Sequence, residues 1–124
     1  QMDRAAWYAR MMAHELVQPT PALAEVVEHV IGPKAQVLYG IVGRLLGRPP
    51  ADLHTRMCAS SIMGQVSHFV HARPVLSLLW PEFRITEQTA KEITDHIIAF
   101  SLHAIRGMRR ARERELVSLD RPRS

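Results

Sequence analysis

Cysteine occurs once in these 124 residues, at Cys58, which excludes a disulfide within the chain and fits a reducing compartment. Aromatic residues amount to 6%, and none follows Phe100, so the most basic part of the chain lacks rings on which nucleobases could stack. No apolar run is long enough to span a bilayer and no signal-peptide pattern opens the chain, so a cytoplasmic protein is expected. Alternation with period two is missing throughout, as are internal repeats and low-complexity tracts. Without strands there is no strand-borne phosphate loop either. These absences leave an all-α fold in one domain, since a chain of this length suffices for a single core.

The most telling absence is local. Charged residues make up 23% of the chain, yet residues 57 to 72 contain no Asp, Glu, Lys or Arg, and Arg73-Pro74 closes the stretch. A helix-length gap of this kind predicts burial on every side. At about 100° per residue, Cys58, Ala59, Ile62, Met63, Val66, Phe69 and Val70 fill one arc and read as a core face. Ser60, Ser61, Gly64, Ser67, His68 and His71 fill the other, where an exposed helix would carry Lys and Glu. A surface of Ser and Gly lets a second backbone come close. That neighbour is either a second subunit or another helix of the same monomer.

The C-terminal segment favours the subunit. Thr86 is a candidate N-cap, Glu87 sits in the first turn, and no Pro interrupts the chain before Pro122. Along this long helix Ala90, Ile93, Ile97, Phe100, Ala104, Met108 and Ala111 form one seam. Ile98, Leu102 and Ile105 form a second beside it, giving an apolar arc of about 200°, roughly twice what one neighbouring helix requires. Two helices that each want two partners predict a dimer in which they pair with their copies as a four-helix bundle. Ser60, Gly64, His68, His71, Ile97, Phe100, Ala104 and Met108 are the candidate interface residues.

Proline and glycine punctuate the rest. A first helix is predicted from near Met2 to Val17; Thr20-Pro21 then caps a short helix ending near Gly32-Pro33. A third, from about Lys34 to Leu46, carries Leu38, Ile41, Val42 and Leu45 on one face and stops at Gly47. Arg48-Pro49-Pro50 reads as an extended linker, Asp52 or Leu53 as the start of the uncharged helix, and Val75 to Trp80 as an apolar turn. The architecture expected is an antiparallel bundle of about five or six helices.

Charge and chemistry add little. Residues 106 to 124 hold seven Arg against three acidic side chains, while residues 1 to 105 balance nine against nine, so the whole excess of +4 lies in the tail. A solvated helix end explains it, with cations placed favourably for the macrodipole. His14-Glu15 begins like a zinc-protease motif, but the position that needs the second His is Gln18. No Glu has a His three residues later, as a carboxylate-bridged metal bundle requires. No catalytic residue, cofactor or metal is expected. A small-molecule pocket between helices suits the chain better, with Trp7, Met11, His14, Tyr39, Met63 and Phe69 as candidates, large or flexible side chains with a few polar ends.

Ala59-Ser60-Ser61-Ile62-Met63-Gly64-Gln65-Val66, then Phe69 and Ala72-Arg73-Pro74, resembles the signature of the C-terminal regulatory domain in CecR-type members of the TetR/AcrR transcriptional regulators. Glu15 through Pro19-Thr20-Pro21 is similar to the start of that domain. The resemblance implies an effector-binding and dimerisation domain over residues 1–118, with residues 119–124 as a flexible tail. It further implies a homodimer, an unknown small-molecule effector, and operator DNA engaged only through an N-terminal helix-turn-helix that we expect to be absent from this chain. A stand-alone helical ligand-binding or interaction module, and more distantly a histidine-dependent metalloenzyme bundle, are the alternatives.

Overall fold

The protein is described by a computed structural model covering residues 4–123; the expected helix start at Met2 and the tail residue Ser124 lie outside the described residues. Helix α1 (Arg4–Val17) is followed by a tightly held corner. The Glu15 carboxylate accepts from the Thr20 backbone N–H at 2.9 Å and from its hydroxyl at 2.8 Å. Thr20 Oγ1 in turn accepts from the Ala22 N–H at 3.3 Å, capping α2 (Pro21–Val26) with Pro21 in its first turn.

The expected break at Gly32-Pro33 is not there. A π turn (Val27–Ile31) joins α2 to α3 (Gly32–Leu46) in one continuous rod. Pro33 has no N–H and its ring would press on the carbonyl four residues back, so a regular α-helix could not run through it. The wider turn relieves this, with the Gly32 N–H donating to Val27 O. A Cβ at position 32 would lie 2.6 Å from that oxygen, so the residue before the proline has to be glycine. The pair thus changes helical pitch instead of ending a helix.

Gly47, at φ +69°, ends α3 in the left-handed region as expected, with the Arg48 N–H returning to Gly43 O at 2.9 Å. Asp52 caps α4 (Leu53–His71) by accepting from the His54 N–H at 2.9 Å. Thr55, fully buried, donates its hydroxyl to Pro49 O at 2.9 Å and ties the linker to the helix. Residues 75–80, expected as a turn, belong mostly to a short helix α5 (Arg73–Leu79), because Pro74 falls in its first turn where a missing N–H costs nothing. In the capping box of α6 (Glu87–Leu119), Thr86 Oγ1 accepts from the Thr89 N–H and Thr89 Oγ1 accepts from the Thr86 N–H.

Helices α3, α4 and α6 enclose the core of Val42, Leu46, Cys58, Ala59 and Ile105, with Leu38, Tyr39, Leu45 and Ile62 packed around it. Ile41, expected on the buried face, is 49% exposed. Helices α4 and α6 run antiparallel, since Cys58 meets Met108 (Sγ to Sδ 3.7 Å) while Gln65 meets Ser101. Helix α1 packs against α4. Two tail arginines serve the fold: Arg109 donates to Leu45 O at 3.1 Å and Arg112 to Gly47 O at 3.3 Å, satisfying carbonyls that the end of α3 leaves without partners. The fold is an all-α bundle with no strand among the described residues, and none of its helices is long and apolar enough to cross a membrane.

Candidate functional site

Within one chain, burial of α4 is one-sided. Thr55, Cys58 and Ala59 are buried, whereas Ser60, Gly64, His68 and His71 are all exposed. A Cβ at Gly64 would meet nothing within 4 Å, so the chain's own packing does not require glycine there. On α6, Ile97, Ser101 and Ile105 are buried, while Phe100 is 59% exposed and Met108 50%. Ala104 is exposed beside them. Ile97 differs from the other interface candidates, being buried against its own chain.

Two of the hollows along the α4/α6 pair have mainly apolar walls. One, of about 290 Å³, is a groove bordered by Met57, Ser61 and Gln65 of α4 and by Phe100, Ala104 and Met108 of α6. Three of the interface candidates therefore line it. The other, of about 430 Å³, is set toward the C-terminal half of α4 and the start of α6. Ile62, Val66 and Phe69 line it from α4, and Ile93, Ile97 and Ile98 from α6. Among the described residues its polar lining is confined to Thr94 and Arg73. The volume lies in the range of about 300–1,000 Å³ usual for small-molecule sites, and the apolar walls with few polar groups are the usual composition.

Of the six pocket candidates, Phe69 lines this cavity, and its ring also meets His68 edge to face at 5.6 Å between centroids. Tyr39 packs on the core cluster, Met11 is half-buried, His14 is exposed, and Trp7 and Met63 are each about half exposed (50% and 46%). The structure thus does not gather the six around one cavity. The aliphatic lining was visible in the sequence only as the unusual width of the two apolar arcs. Arg73 was visible as the end of an uncharged stretch and within the Ala72-Arg73-Pro74 element of the resemblance, in neither case as a pocket residue.

A neighbouring hollow of about 380 Å³ separates α1 from the end of α4 and is lined by Ala6, Ala9, Arg10 and Ala13 facing Val70, His71, Arg73 and Pro74. It shares Val70 and Arg73 with the larger cavity. Among the described residues no group of three or more His, Cys, Asp or Glu comes together where it could hold a metal ion. Burial pushes the Cys58 thiol up. The backbone amide and then the hydroxyl of Thr20 hold the Glu15 carboxyl below its ordinary value. What the arrangement offers is binding: an apolar cavity with one cation, between two helices whose opposite side is also open.

A family model described as the C-terminal domain of the HTH-type transcriptional dual regulator CecR matches residues 1–108. No curated protein and no solved structure matches the chain. With most of its length matched, and with the helical architecture such a domain requires, the chain belongs to the family of CecR C-terminal domains, the effector-binding part of TetR-type transcriptional regulators.

Proposed function

We propose that this chain is the effector-sensing and homodimerising half of a cytoplasmic repressor. A small molecule in the α4/α6 cavity lowers the affinity of a helix-turn-helix, outside these 124 residues, for operator DNA. The observation that carries the proposal is that one pair of helices builds both the cavity and the open face. Ile62, Val66, Ile93 and Ile97 belong to the first, and Met57, Ser61, Phe100 and Met108 to the second. A ligand that favours one spacing of α4 and α6 therefore biases how two copies pack. Half-sites about one helical turn of DNA apart respond to that packing.

Exposed area supports the dimer. The chain exposes 9881 Å², whereas a compact monomer of this length exposes about 6,700 Å². Pairing α4 and α6 with their copies through Ser60, Gly64, His68, Phe100, Ala104 and Met108 would cover the exposed Phe100 and Met108, part of that excess. His71 lies at the edge of that face. No covalent chemistry is needed, since differential binding to two arrangements of the bundle suffices.

The test is to fuse the chain to an operator-binding helix-turn-helix that lacks its own dimerisation part and to follow a reporter gene. Repression that Gly64→Arg removes is expected. A stably produced fusion that never represses contradicts the proposal.

A further inference from the structure

Arg73 closes the larger cavity at the junction of α4 and α5, and it is the one charged side chain that lines it among the described residues. The ion pairs described elsewhere in the chain join Glu25 with His29, Arg48 with Asp52, Lys91 with Asp95 and Arg109 with Glu113. None involves Arg73. No Asp or Glu lines either the cavity or the adjoining hollow that shares Arg73, and Arg10 and His71 add two further basic groups to that hollow. An apolar cavity with an uncompensated guanidinium at its rim is complementary to a molecule with a long apolar body and an anionic end.

We infer that the cavity takes an amphipathic organic anion, an aliphatic or aromatic body ending in a carboxylate. The body lies against Ile62, Val66, Phe69 and Ile97, and the carboxylate meets the Arg73 guanidinium. This rests on the reading of the cavity as the effector site. A carboxylate buried without a partner would be strongly disfavoured, but Arg73 is exposed, so the acid group keeps part of its hydration while it pairs. A neutral ligand of the same shape leaves the guanidinium unused. A cationic one is repelled by Arg73 and has no carboxylate to turn to.

The experiment is calorimetric titration of the whole chain with octanoate, octan-1-ol and octylamine, on wild type, Arg73→Gln and Val66→Trp, with helicity checked by circular dichroism. Octanoate should bind about tenfold more tightly than the alcohol, the range of a charge-assisted pair in a partly solvated site. Octylamine should bind most weakly. Arg73→Gln should bring octanoate to the level of the alcohol and leave the alcohol unchanged, while Val66→Trp, which fills the cavity, should abolish both. If octanoate and octan-1-ol bind alike, Arg73→Gln moves neither and Val66→Trp abolishes both, the cavity stands and its preference for anions is overturned. If nothing binds, or Val66→Trp changes nothing, the cavity reading falls and this inference falls with it.

Discussion

The Gln65 side-chain amide on α4 donates to Ser101 Oγ on α6 at 3.1 Å, crossing the helix pair at the groove both residues line. Gln65 and Ser101 both border the groove, and Ile62, three positions before Gln65 on α4, borders both hollows. Ser101 is largely shielded from solvent at 6% exposure. A hydrogen bond so placed fixes the register of the two helices that must move if the cavity is to influence the open face. A double-mutant cycle of Gln65→Ala and Ser101→Ala in urea unfolding should give a coupling of about 0.5–1.5 kcal/mol. A coupling of zero would mean that the bond does not hold the pair.

Thr55 is expected to be worth more than its size suggests. Its hydroxyl is fully buried and bonded to Pro49 O. Thr55→Val keeps the shape but leaves that carbonyl without its donor, at a cost of about 1–3 kcal/mol. Thr55→Ser keeps the hydroxyl and should cost less. Equal losses for the two variants in denaturant midpoint would show that the methyl, not the bond, matters.

The glycines of the long rod should respond in opposite directions. Gly32→Ala drives a Cβ to 2.6 Å from Val27 O and must distort the π turn, so it should destabilise although alanine is the better helix former. At Gly40 a Cβ meets nothing within 4 Å, and Gly40→Ala should stabilise by about 0.5–1 kcal/mol. Thermal melts of the two variants displaced to the same side of wild type would contradict this account of the turn.

Acid should loosen the corner between α1 and α2. The Thr20 amide and hydroxyl hold the Glu15 pKa below its ordinary value of 4.5 in the folded chain. A depressed folded pKa means that the contribution is complete above about the ordinary value and is lost as the pH falls through it toward the folded one. Glu15→Gln should therefore flatten the decline of stability on acidification below that point. A decline as steep as that of wild type would assign the acid sensitivity to other groups.

How far the sequence led is clearest at the helix ends. Thr20, Gly47, Asp52 and Thr86 all act at the ends where they were expected, because capping is a local matter of one side chain and the next turn. Gly32-Pro33 misled because the same dipeptide that ends an α-helix can be absorbed by a π turn, and nothing local distinguishes the two. The tail arginines were read as solvated, yet Arg109 and Arg112 reach carbonyls more than sixty residues away, at Leu45 and Gly47. The face of Ser60, Gly64 and His68 was read as covered by a neighbour because it lacks charge, and within one chain it is exposed. The pocket was less legible. Large and aromatic side chains directed attention to Trp7 and Tyr39, but the cavity is walled by isoleucines, which look the same in a core and in a pocket until the helices are placed.

The most direct test of the account is the solution mass of the chain by light scattering, for wild type and for Gly64→Arg. Space is open at Gly64 within one chain, so arginine there is compatible with a folded monomer but not with a second copy packed on the same face. A wild-type dimer and a helical, folded Gly64→Arg monomer are the predicted result. A wild type that stays monomeric at all concentrations, or a Gly64→Arg variant that dimerises as wild type does, would contradict it.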